Sequence, residues 1–398
     1  MTLRLFLGWD EPARGVALAQ PAQNGNRENH HPRLADNLAA QIIKGAEGQR
    51  EKDDRVNHGV LSSRIRLARN LEGWNFARKL PPARARALVD RIAEAAARAC
   101  PGRMLRIDKL DGPERQLLVE RQLISRDLAA SKRAAGLWLG EDERTALMIG
   151  EEDHLRLQVF TSGLQLEGLL VEAVGLDRAL EPALGFAFDE RLGYLTACHT
   201  NVGTGLRASV MLHLPALAET GELKAVLRAF DKLHLAVRGR FGEGSEPHGH
   251  YYQLSNRRTL GQDEATIVRS VHEAALRVID AERIARDAML GDDAQRNRLE
   301  DKVWRAWAVL THARVLSSEE LIEHLAWLRL GLALDMLHAV SPRPTWAILD
   351  RIFVQCQPAH LQAAHPAAKD ATYRDRLRAE LVRMWLTSDP GPRTSDHV

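Results

Sequence analysis

Short apolar runs at residues 146–149, 155–160, 192–198 and 208–214 read as strands, and the connections between them are of unequal length. That irregularity constrains the fold most. A doubly wound sheet needs a repeated strand–helix–strand rhythm, and none is present, so the pattern predicts an α+β fold with an antiparallel sheet flanked by helices. Helices are expected at 82–100, where Pro82 stands near the start, and at 171–180 and 214–230. From about residue 286 the chain turns almost wholly helical, with apolar residues three and four apart at 299–310, 318–338 and 373–386. Ser317 and Ser318 followed by Glu319 and Glu320 resemble a helix N-cap with acids in the first turn. Trp304, Trp307 and Trp327 are expected in helix–helix packing. This divides the chain into a flexible extension at 1–57, a mixed domain at 58–285 and a helical domain at 286–398. The extension is too rich in Asn, Gln, Gly, Pro and charge to bury a core, with at most a helical turn or two at 38–43. The tail from 388 is expected to be loose.

Composition excludes several classes. Among 398 residues, 55 basic side chains nearly balance 53 acidic ones, for a net charge of +2. This gives no bulk electrostatic case for nucleic acid or a membrane surface. Cys100, Cys198 and Cys356 are scattered and form no C-x-x-C pair, which argues against a disulfide framework and structural zinc. The apolar start, residues 1–9, is cut short by Asp10, Glu11 and Arg14, and no run approaches the ~18 apolar residues of a membrane span. A cytoplasmic protein is expected.

Arginine carries the chemistry. It lies in S-S-R-I-R-L-A-R-N at 62–70, E-E-D-H-L-R at 151–156, T-N-V-G-T-G-L-R-A-S-V at 200–210 and V-R-G-R-F-G-E-G-S-E at 237–246. Arg64, Arg66, Arg156, Arg207 and Arg238 hold their charge at neutral pH and offer forked donors suited to phosphate oxygens. Any one of them could be a surface ion pair, but all five in apolar or glycine-rich contexts point to a polyphosphate clamp. The glycine motif lacks the G-K-[ST] ending of a Walker loop, and no H-R-D…D-F-G set is present. Glu151, Glu152 and Asp153 precede Arg156, and Glu243 follows Arg238. An acid beside such a clamp could bind a cationic acceptor or remove its proton, although E-E-D alone is more often a solvated turn. Cys198, at the expected end of a strand, is either a buried structural thiol or a thiolate favoured by nearby arginines. The histidines show no metal-ligand spacing.

Together, and in this order, the four motifs resemble the ATP:guanido (phosphagen) phosphotransferase family, most closely its bacterial protein arginine kinase branch. The resemblance covers residues 58–386. R-D-R-L-R-A at 374–379 is similar to that branch's R-D-x-x-R-A motif, and the folded helical domain that precedes the R-x-R motif in small-molecule kinases has no counterpart here. The resemblance implies transfer of the ATP γ-phosphoryl group to arginine with Mg2+. Ser62, Ser63, Arg64, Ile65, Arg66, Arg156, Arg207, Ala208, Ser209, Val210 and Met211 would line the nucleotide site, with Arg238, Gly239, Arg240, Phe241, Gly242 and Glu243. Glu152 and Glu243 would grip the guanidinium and take its proton, with Cys198 close by. Arg374, Asp375, Arg378 and Ala379 would form a phosphoarginine pocket; the plainer reading of that helix is an exposed face. The family's usual C-P-T-N has His199 in place of proline, and the histidine expected near the adenine is Gln122. Implied partners are arginine-bearing proteins, a Clp-type ATPase or protease, a zinc-containing activator and a second copy of the chain. The alternatives are a kinase of free arginine or a phosphoarginine-binding adaptor.

Overall fold

The computed structural model describes residues 59–239 and 248–388. The expectations for 1–57, for Arg240, Phe241, Gly242 and Glu243, and for the tail beyond 388 lie outside them.

One antiparallel sheet organises the molecule. In chain order its strands are β1 (Val60–Arg69), β2 (Gly102–Arg106), β3 (Gly136–Gly140), β4 (Thr145–Ile149) and β5 (Leu155–Ser162). After a small ribbon, β6 (Phe188–Asp189) with β7 (Gly193–Tyr194), come β8 (Leu206–His213), β9 (Leu235–Gly239) and β10 (Tyr251–Asn256). The spatial order is β2-β3-β4-β5-β1-β8-β10-β9, so β1 and β8 are central.

Twelve helices are described: α1 (Pro82–Ala99), α2 (Gly112–Glu120), α3 (Arg126–Ala130), α4 (Leu166–Leu184), α5 (Pro215–Glu219) and α6 (Leu223–Lys232), followed by α7 (Glu264–Gly291), α8 (Asp293–His312), α9 (Ser318–Ala333), α10 (Trp346–Gln355), α11 (Pro358–Ala364) and α12 (Ala371–Thr387). Pro82 opens α1, which buries Ala85, Leu88, Val89, Ile92, Ala95 and Ala96 at helical spacing. The Ser317 side chain accepts the Glu320 N–H at the start of α9, as the S-S-E-E segment suggests.

The two faces of the sheet differ. On one, Ile65, Leu67, Leu157, Val159, Ala208, Val210 and Leu212 pack under α4 and α7. Each fully buried aliphatic side chain there contributes roughly 1.5–3 kcal/mol. Among the described residues, the other face is covered only at its ends. At one end Leu137, Leu139, Ala146, Met148 and Phe160 lie beneath α2, α3 and the segment after α2. At the other, Met211 and Tyr251 meet Ile322 and Ala326 of α9 and Phe353 of α10. Between those ends the described residues present arginine on this face.

A buried carboxylate ties the helical C-terminal part to α2. Glu120, the last residue of α2, accepts the N–H of Ala359 at 2.9 and 3.0 Å and that of His360 at 3.2 Å. It also meets His360 Nδ1 at 2.9 Å. An anion at the start of α11 is well placed against orphan backbone donors.

Several local expectations are corrected. Within 192–198 only Gly193–Tyr194 pairs as strand, because side chains take the backbone groups of Leu195, Ala197 and Cys198. The single helix expected at 214–230 is two, broken at Gly221, whose φ is +76°. The helix begun at Ser318 ends at Ala333, short of 338, and Asp335 sits at φ +59°. Trp327 is buried, whereas Trp304 is 37% exposed and outside the packing expected of it.

Candidate active site

Alternation along β1 builds the site. Ser62, Arg64, Arg66 and Ala68 fall on the half-covered face, and Ser63, Ile65, Leu67 and Arg69 on the helix-covered one. Arg66 lies opposite Arg207 of β8 and Gln158 of β5, Arg64 opposite Ser209 and Phe160, and Ala68 opposite Arg156. Register therefore gathers Arg64, Arg66, Arg156 and Arg207 on one patch. The next row runs Ser62, Met211, Gln253 and Arg238, so the backbone of Arg238 continues the same floor.

Like charges so placed repel. Burial, then Arg156 and Arg207, lowers the Arg64 pKa to about 10. Arg66 is pushed well below its ordinary value, first by burial and then by Arg64, Arg156 and Arg207, against a weaker pull from Glu151. Arg66 Nε is buried without a hydrogen-bond partner among the described residues. Guanidinium keeps its proton in proteins, so crowded and buried positive charge of this kind favours an added anion. A polyphosphate meets that need.

The residues expected to line a nucleotide site divide between the two faces. Ser63 donates its hydroxyl to the Gly163 carbonyl at 2.7 Å and accepts the Gln165 N–H at 3.1 Å on the covered face, where Ile65, Ala208 and Val210 are also buried. Ser63, expected to line the nucleotide site, thus turns its side chain to the covered face, and these four positions border the arginine face through backbone alone. Met211 lies on the arginine face but is packed under α9. Gln122, at φ +57°, accepts Gln158 Nε2 on its carbonyl at 2.9 Å, which holds its segment beside the floor.

The three acids of E-E-D have three environments. Glu151, with a side chain 6% exposed, pairs with Arg156 and accepts the Ser125 hydroxyl. Glu152 is half-buried, and its pKa is raised by burial and by Asp153, with Arg156 and Arg78 opposing. Asp153 is buried, and its Oδ1 accepts Asn70 Nδ2 and the Ala197 N–H, both at 2.7 Å. One carboxylate thus joins the residue next to Glu152, the end of β1 and the residue next to Cys198. Asn70 completes the knot by donating to the Leu195 carbonyl at 3.0 Å and accepting the His154 N–H at 2.9 Å. The half-buried Cys198 has its Sγ 3.1 Å from Thr200 Oγ1.

The loop after Cys198 is held from outside. Thr259 Oγ1 donates to the carbonyls of Thr200 at 2.9 Å and Val202 at 2.7 Å. Gly203, at φ +112°, lies so close to Thr259 that an added Cβ would stand 2.3 Å from its carbonyl oxygen. At Gly205 a Cβ would meet the Ala68 carbonyl at 2.6 Å. These glycines permit backbone approach rather than cradling a phosphate. Buried Arg69 donates to Asp177 at 2.8 and 3.1 Å and to the Thr204 carbonyl at 2.9 Å, with its guanidinium 3.4 Å from the Tyr194 ring. The roles of Arg69, Asn70, Asp153 and Thr259 are not legible in the motifs, since their partners lie 44 to 135 residues away.

We expect Asp153→Ala to lower kcat on the order of 10²-fold, the loss typical of an ångström-scale misplacement, with little change in ATP affinity. Single-turnover rates beside nucleotide titration check it; equal losses in both would mean general unfolding instead.

Away from the sheet, Arg374 Nη1 donates to the carbonyls of Ala368 at 3.2 Å and Lys369 at 2.6 Å. Arg378 is 1% exposed, and its Nε bonds to the Cys356 carbonyl at 2.9 Å. Its Nη1 reaches the Leu316 carbonyl at 2.7 Å and Asp375 at 2.5 Å, and Ala379 beside it is buried. The plainer reading of an exposed helix face is thereby corrected: Arg378 staples α12 to the end of α10 and to the turn before α9.

Residues 85–285 match the ATP:guanido phosphotransferase C-terminal catalytic domain, and residues 296–397 match the protein-arginine kinase McsB C-terminal domain. The chain is 41% identical over 340 residues to a protein-arginine kinase of Halalkalibacterium halodurans, covering 84% of this chain and 94% of the relative. Against the protein-arginine kinase of Symbiobacterium thermophilum it is 43% identical over 336 residues, covering 83% and 93%. Among solved structures it is similar to the duplicated taurocyamine kinase of Schistosoma mansoni with bound transition-state-analogue components. There the TM-score is 0.52 and identity 28%, across 58% of this chain and 34% of that one. A lombricine kinase shares the fold at a TM-score of 0.52 and 24% identity, across 58% of this chain and 68% of that one. The arginine-floored sheet and the helical part that follows it thus belong to a single lineage, and the chain is a member of the protein-arginine kinase family of ATP:guanido phosphotransferases.

Proposed function

We propose that the protein transfers the γ-phosphoryl group of ATP to arginine side chains of protein substrates. The observation that carries this is the row of Arg64, Arg66, Arg156 and Arg207 ending beside a half-buried Glu152 whose pKa is raised. Phosphoryl transfer asks the protein mainly for alignment and neutralisation of charge. In this reading the arginine floor holds the polyphosphate in line, and Arg238 extends the clamp. A guanidinium nitrogen attacks the γ-phosphorus; the P–N bond forms as the bond to the β–γ bridging oxygen breaks, and ADP leaves. Glu152 orients that nitrogen and accepts its proton, which an arginine, with a pKa above ~12, does not release unaided. Glu243, outside the described residues, is the proposed second acid by resemblance. Mg2+ fits as a companion of the nucleotide: the floor offers donors rather than carboxylates, and bound there it would neutralise phosphate charge.

The role of Arg374, Asp375 and Arg378 as a phosphoarginine pocket is likewise proposed by resemblance. So are a homodimer, a zinc-containing activator, delivery of the product to a Clp-type protease and a cytoplasmic setting; no described helix is long and apolar enough to cross a membrane. The test is incubation with Mg-ATP and an unfolded arginine-rich protein, with free arginine in parallel, and mass spectrometry under neutral conditions. Acid-labile phosphate on protein arginine is expected. Phosphate on free arginine alone would replace this reading with a metabolite kinase.

A further inference from the structure

A second basic feature lies at the acceptor end of the site. Arg78, Lys132 and Arg133, with Asp127, Ser131 and Glu151, line a cleft of about 340 Å³. Its floor at Gly150 and Glu151 runs directly into Glu152, and Arg78 is close enough to oppose the rise in the Glu152 pKa. This end of β1, near Asn70 and Asp153, is remote from Ser62, where the floor begins. With Glu152 in its proposed role, the cleft borders the place where a substrate chain would present its arginine.

Charge in the cleft does not cancel. Glu151 is already engaged by Arg156 and by Ser125, so among the described lining residues three cations stand against Asp127, with Glu152 beyond the cleft floor. Arg133 Nη1 is anchored on the carbonyls of Ala77, at 3.2 Å, and Arg78, so the 3-10 turn 77–79 and the end of α3 form one wall. Arg78 and Lys132 are exposed at its rim. The volume lies within the range of small-ligand clefts, ample for one carboxylate side chain.

We propose that this cleft receives an acidic side chain flanking the target arginine, and so sets a preference among protein substrates. The inference rests on the protein-arginine kinase reading and deepens it. An aspartate or glutamate seated between Arg78 and Lys132 pulls the polypeptide toward the Glu151–Glu152 turn and leaves the neighbouring arginine at Glu152. Acting in binding rather than in transfer, it changes KM and leaves kcat alone.

The test compares two peptides that differ only in bearing Asp or Asn on either side of one arginine, with the parent enzyme, Lys132→Glu and Lys132→Gln. For the parent, kcat/KM is expected to favour the Asp peptide about fivefold, as partly exposed charge pairs allow, and the preference should shrink as salt is raised. Lys132→Gln should weaken the preference and Lys132→Glu abolish or invert it, with the Asn peptide turned over as by the parent. Equal kcat/KM for both peptides in the parent, or a preference that survives Lys132→Glu, overturns the proposal. If neither peptide is phosphorylated while free arginine is, the protein-kinase reading itself fails, and the cleft proposal with it.

Discussion

Glu152→Gln is expected to lower kcat by about 10²–10⁴-fold, the usual loss when a positioned proton acceptor is removed, while ATP still binds. The pH profile gives the sharper test. Glu152 must be ionised to accept the proton, and burial together with Asp153 disfavours that form, so its pKa lies above the ordinary 4.5. In the parent enzyme kcat/KM should rise with pH along an acid limb displaced upward from that value, and in the variant the limb should flatten. Stability carries a second signature. Because the folded pKa is the higher, the folded state binds more protons than the unfolded state between the two values, and stability falls as pH rises through that window. The glutamine variant loses this penalty. A variant with unchanged kcat would remove Glu152 from the chemistry.

The second expectation concerns Arg66. Arg66→Leu should lower kcat/KM by about 10²–10³-fold or more, since the proposed function makes it a donor to developing phosphoryl charge. It should also make the nucleotide-free protein more stable, by about 1–2 kcal/mol, because a buried guanidinium repelled by Arg64, Arg156 and Arg207 gives way to an apolar group. Thermal unfolding with and without ATP separates the effects: the variant melts higher alone, and its shift with ATP shrinks. Loss of activity with loss of stability would point to misfolding, and activity within tenfold of the parent would show that the phosphates bind elsewhere. This is function held at the expense of stability, which follows from placing four cations on one sheet face.

Arg64, Arg66, Arg156 and Arg207 were legible because each stands in a compact motif, and the helices at α1, α8 and α12 because apolar spacing is a local signal. The motifs did not reveal that β1 is a strand dividing its own residues between two faces. Ser63 therefore looked like a neighbour of Ser62 although its hydroxyl serves Gly163 on the other side. Asp153 looked like one of three equivalent acids; its distinction lies in Asn70 and Ala197, which only the folded chain brings to it. For Arg378 the plainer alternative to a pocket is an exposed helix face, yet the carbonyls of Cys356 and Leu316 close around it. The glycines at 203 and 205 lack a Walker ending, and the reason they are needed, the approach of Thr259 and Ala68, is not visible in the motif.

The alternation in β1 has a consequence for how such a chain can vary. One extra residue between Ser63 and Arg64, held in the strand, would carry Arg64 and Arg66 under α4 and bring Ile65 and Leu67 onto the arginine face. That single insertion would bury unpartnered cations in the core and erase the site together. Two inserted residues would restore the faces but slide each arginine off its partners Ser209 and Arg207. Length change is therefore forbidden in β1, while the exposed connection between β3 and β4 at Glu141 and Asp142 can absorb it without moving any arginine of β1.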